Sequence, residues 1–441
     1  MPAPPTVSTV LSFEDARHTV EQHAAQLSPR GMETVDLLAA EGRVLAESVV
    51  ADRNIPPFPR STRDGYAVRS ADLAQLPAHL EVIAEIRAGE KSENLPELIA
   101  PGKTASIMTG APVPPGADAV VMVEYSSTQD SAVEITRGVA PGENVVPTGA
   151  EAKQGSTLIE SGTRLGEASI ALAASAGNSL LLVHQKPRVA LLTTGDEIVD
   201  IDARPGPTQI RNSNSYSLAV QVRKAGGEPV LLPIAPDEPR QLRVLIEEGL
   251  RSDLLLMTGG VSMGRYDLVE QVLSEMRAEF FFTGAKIQPG RPVVFGRVAA
   301  PETDTARSSK YFFGLPGNPV STMVTFELFA RPLLEALAGM SPRKLTFVHA
   351  RLKSEIRVKP GLKRFLPANL TGEFEDAQVE LVPWQGSGDI AATARANCYA
   401  VIAADRELIS AGEMIPILPR GRQAASSFSG APCKIGSNVN P

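Results

Sequence analysis

Two glycine-rich turns constrain this chain more than any other feature: Gly259-Gly260-Val261-Ser262-Met263-Gly264, with Asp267 just beyond, and Gly314-Leu315-Pro316-Gly317-Asn318-Pro319-Val320-Ser321. Each follows an apolar strand-like run (Leu254 to Met257; Tyr311 to Phe313) and precedes a helix-like one, so each should aim backbone N–H groups at one edge of a sheet. Unpaired amides at a helix start carry partial positive charge, and glycine lets a phosphate approach the backbone closely. An anion site is expected there, although tight-turn chemistry alone gives a similar pattern. Neither turn matches the GxxxxGK[ST] loop or the dinucleotide GxGxxG fingerprint.

Around these turns, strand-like runs (Arg188 to Thr193, Pro229 to Leu232, Leu254 to Met257, Pro292 to Phe295, Tyr311 to Phe313) alternate with helical patterns (Tyr216 to Lys224, Pro239 to Glu248, Asp267 to Met276, Pro319 to Ala338). The alternation predicts a three-layer α/β/α domain over 187–340 with a mostly parallel sheet covered on both faces. Short alternating strands punctuated by Pro and Gly predict a β-rich inserted module over 53–143. Helical pieces flank it: Ser12 and Asp15 can cap a helix from about Phe13 to Leu27, a second short segment covers Thr34 to Ala40, and another helix runs Gly166 to Ala176. These suggest one discontinuous N-terminal domain, 10–52 and 144–186, interrupted by the insertion. A small β-rich C-terminal domain follows over 345–419. The Ser/Gly/Asn-rich tail, 420–441, is expected to be disordered.

At 441 residues the chain exceeds one core, and 43 Lys+Arg against 50 Asp+Glu leave a formal charge of -7. That balance argues against generic nucleic-acid binding and leaves an anionic ligand to local groups. Only Cys398 and Cys433 are present, too few for a disulfide framework or a cysteine metal site, so a cytoplasmic setting is expected. The five histidines show no metal-ligand spacing. No apolar run approaches membrane length and no secretory leader is visible, so neither spanning nor export is expected.

A phosphate held at such turns is commonly neutralised by Mg²⁺ on one or two carboxylates plus phosphate oxygens. Carboxylates near strand ends are the candidates: Asp196 and Glu197 after Thr194-Gly195, Asp237 in a Pro-Asp-Glu-Pro segment, and Asp267. For each, a helix cap or solvated turn is the plain alternative. Asn212-Ser213-Asn214 could hydrogen-bond a ligand or form an Asx-turn. Asn318 and Pro319 suit N-cap and first helical positions.

In order along the chain, Pro56-Pro57-Phe58, Asp64-Gly65-Tyr66-Ala67-Val68, Ile107-Met108-Thr109-Gly110-Ala111-Pro112, Gly116-Ala117-Asp118-Ala119-Val120-Val121, Thr194-Gly195-Asp196-Glu197, the Gly259 turn and Leu315-Pro316-Gly317-Asn318-Pro319 resemble the MoeA family of molybdopterin molybdenumtransferases, to which the gephyrin C-terminal domain is similar. The resemblance implies a homodimer of four-domain subunits with a MogA-like α/β/α domain carrying the ligand. It implies that adenylylated molybdopterin is cleaved with a divalent metal, molybdate is ligated, and AMP leaves, with handover to apo-molybdoenzymes. No nucleic acid or membrane partner is implied.

By resemblance, Asp64, Thr109, Glu197, Asp237 and Asp267 fall in or near the active site, Glu197 and Asp267 positioning the metal. Asp64 and Thr109 would reach the α/β site of the other subunit. Thr194, Gly195, Asp196, Asn212, Ser213, Asn214, Gly259, Gly260, Val261, Ser262, Gly264, Pro316, Gly317, Asn318 and Pro319 would bind substrate. Ser321 would bind substrate with them; molybdate wants Arg, Lys, Ser and backbone donors, and Lys286, Pro289, Gly290, Arg291, Arg364 and Ser387 are the carry-over positions. Gln288 stands where many relatives have Lys. The readings set against a transferase are a MogA-type adenylyltransferase acting on ATP and a non-catalytic scaffold. The β-rich modules count against the first, and the retained carboxylates against the second.

Overall fold

The computed structural model describes residues 9–259, 268–299, 309–341 and 343–420. Contacts divide the chain into two units, one of residues 34–41 and 45–183 and one of 1–33, 42–44 and 184–441.

In the larger unit, the sheet runs in spatial order Glu228–Leu231, Arg188–Thr193, Leu254–Thr258, Lys310–Leu315, Val294–Val298, Glu279–Phe282. The first four strands are parallel and the last two antiparallel to their neighbours. Successive residues of one strand feed opposite faces. Val189 and Leu191 join Leu218 and Val222 of helix Asn214–Lys224 on one side, and Ala190 and Leu192 meet Leu242 and Ile246 of helix Pro239–Gly249 on the other. The expected three layers are therefore present, with near-continuous apolar strands because both faces are covered. Chain order reverses at Arg188–Thr193, whose sequence neighbour lies on one side and Leu254–Thr258 on the other. This is a topological switch point, where open α/β sheets hold ligands at the carboxyl ends of their strands.

Helix Phe13–Ala24 begins as expected at Ser12, whose hydroxyl accepts from the Asp15 amide at 3.0 Å. Phe13, Ala16 and Val20 pack into the core that holds Phe329 and Phe365, so this helix, grouped on sequence with 144–186, lies instead in the larger unit.

The helix expected over Pro319 to Ala338 is divided into α-helix Pro319–Thr325, a π turn Phe326–Ala330 and α-helix Arg331–Leu337. Pro332 supplies the reason. It lacks an N–H and its ring crowds the carbonyl four residues back, that of Leu328. The Leu328 carbonyl instead accepts from Nη1 of the buried Arg17 at 2.5 Å.

The C-terminal strands Lys363–Thr371, Gln378–Leu381, Val348–Leu352, Met414–Pro419 and Cys398–Ile402 pair in that order, and pairing of the first with the last closes them into a barrel. The short strand Ile287–Gln288 adds to it in parallel, with Gln288 beside Arg364.

The smaller unit holds a six-stranded sheet whose strands include Ala78–Ile86, Lys103–Ile107, Ala119–Met122 and Ala132–Ile135, within the span read as a β-rich module. Helix Glu167–Ser175 packs on a separate core with Leu45, Val49 and Ile159. The segment Thr34 to Ala40 is the end of strand Met32–Asp36 and the turn after it. Among the described residues no helix is long and apolar enough to cross a membrane.

Candidate active site

At the switch point, the ends of the two central strands are tied side by side. The Thr194 amide donates to the Thr258 carbonyl (2.9 Å), and the buried hydroxyl of Thr193 lies 3.1 Å from that of Thr258 and 2.8 Å from that of Ser215. Gly259 then turns with φ +86°, a conformation that glycine adopts freely. A Cβ there would stand 2.2 Å from the Thr194 carbonyl oxygen, so this crossing requires glycine. A Cβ on Gly317 would lie 3.6 Å from the Gly259 Cα, which places the two glycine-rich turns against each other.

Thr194-Gly195-Asp196-Glu197 forms the opposite wall. Thr194 Oγ1 donates to Asp237 Oδ1 at 2.9 Å, and the Asp237 amide donates to Asp196 Oδ1 at 3.1 Å. Asp237 is thus not the cap of the helix beginning at Pro239. Glu238 fills that role, accepting from the amides of Arg240 and Gln241. Those amides hold the Glu238 carboxyl below its ordinary range.

These walls enclose a cleft of ≈ 370 Å³. Ten of the sequence-derived candidates line it: Thr194, Glu197, Asn212, Ser213, Asn214, Gly259, Pro316, Gly317, Asn318 and Pro319. Thr193, Thr258, Ile198, Ile210, Arg211 and Pro292 also line it, and sequence reasoning missed them. Position just inside or beside the strand ends was the available signal. Arg211 supplies a cation to this lining, with its Nε fixed on the Ala203 carbonyl at 3.1 Å.

The Asn212-Ser213-Asn214 segment divides its labour. Asn212 is structural, its Oδ1 accepting from the Ser215 amide and its Nδ2 donating to the Ser215 hydroxyl. The Asn214 Nδ2 donates to the Gly317 carbonyl at 2.8 Å, tying helix Asn214–Lys224 to the second glycine turn. Its Oδ1 is buried and has no donor among the described residues. Ser213 is exposed.

Asn318 occupies the N-cap position without capping its helix. Its Nδ2 donates to Ser387 Oγ (2.9 Å), while the Val320 amide donates to the Ser387 carbonyl (3.0 Å). The helix start is therefore partly occupied, and the open anion socket expected of it is reduced by one amide.

A second group of candidates lies outside the lining of this cleft. Gly290 turns with φ +103°, where a Cβ would meet Thr325 Cγ2 at 2.4 Å, so the Pro289-Gly290 turn sits on the helix that carries Ser321. Lys286, Gln288 and Arg291 are exposed along this stretch. Arg364 is buried and donates to the carbonyls of Leu362 and Lys359, which fixes its guanidinium within its own loop. Burial lowers its pKa.

Asp64 and Thr109 meet in the smaller unit. The Thr109 amide (2.6 Å) and hydroxyl (2.9 Å) both donate to Asp64 Oδ1 and hold that carboxyl below its ordinary value. Gly260, Val261, Ser262, Gly264 and Asp267 lie outside the described residues, as does Cys433.

Among the described residues, the cleft lining offers a carboxylate, hydroxyls and amides, with no His or Cys. That oxygen-rich set fits a hard cation such as Mg²⁺ better than a softer metal. Among the described residues no cluster of three acidic, His or Cys side chains forms a closed metal site.

Comparison with known proteins agrees over nearly the whole chain. Residues 11–177 match the MoeA N-terminal region (domain I and II), 190–336 a probable molybdopterin binding domain, and 349–419 the MoeA C-terminal region (domain IV). The chain is 34% identical over 400 residues to a molybdopterin molybdenumtransferase of a Nostoc species, covering 89% of each. It is 32% identical over 399 residues to that of Haemophilus influenzae, covering 89% of this chain and 94% of the relative. The structure of a molybdopterin biosynthesis MoeA protein from Pyrococcus horikoshii aligns with a TM-score of 0.72 at 29% identity, covering 92% of this chain and 99% of that one.

Proposed function

The chain belongs to the MoeA family of molybdopterin molybdenumtransferases, and from that premise we propose that the switch-point cleft cleaves adenylylated molybdopterin, releasing AMP as molybdenum enters. Insertion of molybdenum into molybdopterin is the family's activity; the adenylate is the finer reading. The observation that carries it is the convergence of the Thr194 to Glu197 turn, Gly259 and the Pro316 to Pro319 turn on one polar cleft.

Within that cleft, Arg211 sets a positive charge beside the phosphates, and Thr194 orients Asp237 toward the same wall. The Asn214 amide serves the cleft from behind, holding the second glycine turn through the Gly317 carbonyl. Glu197, with Asp267, would hold Mg²⁺, and the ion when bound neutralises charge on the phosphate oxygens. Molybdate is assigned to the Pro289-Gly290-Arg291 turn with Lys286, Ser321 and Ser387. Arg364 shapes this region through its loop and does not donate freely.

We further propose a cytoplasmic homodimer in which Asp64 and Thr109 of each subunit complete the other's site, and handover of the product to apo-molybdoenzymes. The test of handover is anaerobic incubation with the adenylate, Mg²⁺ and molybdate followed by addition of an apo-molybdoenzyme. Molybdate-dependent gain of enzyme activity supports the reading. ATP-dependent adenylylation of molybdopterin in its place would transfer the chain to the MogA-type activity, and tight binding without turnover would make it a scaffold.

A further inference from the structure

A second cleft, of ≈ 510 Å³, opens in the same unit and shares no lining residue with the first. Helix Asn214–Lys224 forms one wall, the π turn and its flanking helices another, and the C-terminal barrel the third. π turns interrupt helices at functional sites more often than elsewhere. Here the interruption presents Met323, Glu327 and Arg331 to one space.

The polar groups at this cleft are incompletely satisfied. Tyr399 is 1% exposed and lines the cleft, yet its hydroxyl makes no hydrogen bond among the described residues. That oxygen is not among the fully enclosed side-chain atoms left without a partner, and Tyr399 lines the cleft. Burial pushes the phenol up to about 12, which keeps it a protonated donor at neutral pH. The Arg420 guanidinium lies 5.2 Å from the Tyr399 ring centre and donates to the carbonyls of Thr393 and Ala396. Those acceptors are neutral. Arg331 is different: Glu327 (2.8 Å) and Glu335 (2.9 Å) both pair with it. Lys224 also lines the cleft, while Val220, Ala225, Met323 and Pro419 give it an apolar wall.

We propose that this cleft binds a small organic anion, a carboxylate or phosphate carried on an aromatic or short aliphatic body. The anionic end takes the Tyr399 hydroxyl and the Arg420 charge, a pairing of donor and cation that suits oxyanions. The body covers the apolar wall. Both helices that line this cleft begin at the first one, at Asn214 and at Pro319, so an occupant would rest on the elements that shape the active site. The inference stands independently of the chemistry assigned to the first cleft.

The test is calorimetric titration of the full chain with phenyl phosphate, benzoate and inorganic phosphate, each against wild type, Tyr399→Phe, Arg420→Gln and Asn318→Ala. Tyr399→Phe keeps the ring and removes only the hydroxyl, and its unfolding midpoint reports whether the core is intact. The expected result is saturable binding of at least one organic probe, tighter than inorganic phosphate and weakened about tenfold by Tyr399→Phe, the loss of one charge-assisted hydrogen bond. Phenyl phosphate alone would assign the phosphate class, and benzoate alone the carboxylate class. Absence of saturable binding, equal affinity in a folded Tyr399→Phe protein, or loss of binding in Asn318→Ala in place of the cleft variants would overturn the proposal.

Discussion

Asn318 Nδ2 donates to Ser387 Oγ at 2.9 Å, so the residue at a helix N-cap fastens that helix to the C-terminal barrel and does not cap its own amides. The pair is exposed, and its worth should sit near the lower end of the usual ~0.5–1.5 kcal/mol for a hydrogen bond. A double-mutant cycle of Asn318→Ala and Ser387→Ala in denaturant unfolding is expected to show a coupling of about 0.5 kcal/mol. Strict additivity would mean that the contact does not hold the two elements together.

Gly259→Ala should be severe. The added Cβ meets the Thr194 carbonyl at 2.2 Å, and φ is +86°. The strained backbone alone costs about 1–3 kcal/mol, and the clash adds to it or moves the turn. Thermal unfolding and AMP release should both fall. A variant with wild-type stability and turnover would show that the crossing of these strands has slack.

Arg17 and Pro332 should be coupled, because one answers the carbonyl that the other leaves without a helical donor. Arg17→Met strands the Leu328 carbonyl in the core, at a cost of about 1–3 kcal/mol. Pro332→Ala restores an N–H four residues on and should recover part of that loss in the double variant. An equal cost of Arg17→Met with and without the Pro332→Ala change would detach the π turn from its proline.

The Asp64 carboxyl sits below its ordinary value of 3.8 because the Thr109 amide and hydroxyl bind its ionised form. A depressed folded pKa contributes stability that is fully present above the unfolded value and is lost as pH falls through the folded one. The stabilisation this pair gives the smaller unit should therefore be complete and independent of pH near neutrality and decline only below about pH 4. Thr109→Val removes the hydroxyl and keeps the amide, so carbon-detected titration of Asp64 should show a pKa raised partway to 3.8. An unchanged titration would assign the whole shift to the backbone.

Hybrid dimers test the shared site. Asp64→Asn and Glu197→Gln proteins, each inactive, should recover about a quarter of wild-type activity after equal subunit exchange, since half the dimers then carry one intact site in two. No recovery despite verified exchange would place each site within one subunit.

The sheet was legible because both of its faces are covered: uninterrupted apolar runs such as Leu254 to Met257 have no other stable place. The cleft was legible to the extent that glycine marks it, as at Gly259 and Gly317. Partner choice was not. Nothing local distinguishes Asp237, which accepts from Thr194, from Glu238, which caps the next helix. Arg364 reads as an oxyanion ligand by position, yet its loop folds back and takes the guanidinium. The π turn was missed because helical periodicity barely registers one added residue, although Pro332 stood in plain view.

Adenylate cleavage in the switch-point cleft is proposed to depend on Glu197. The most direct measurement is anaerobic single-turnover AMP release from adenylylated molybdopterin with Mg²⁺ and molybdate, comparing wild type with Glu197→Gln. Molybdate-dependent release by wild type, slowed by about 100-fold or more in a folded variant that still binds substrate, is the predicted result. Equal rates in the two proteins, or no release by wild type, would contradict it.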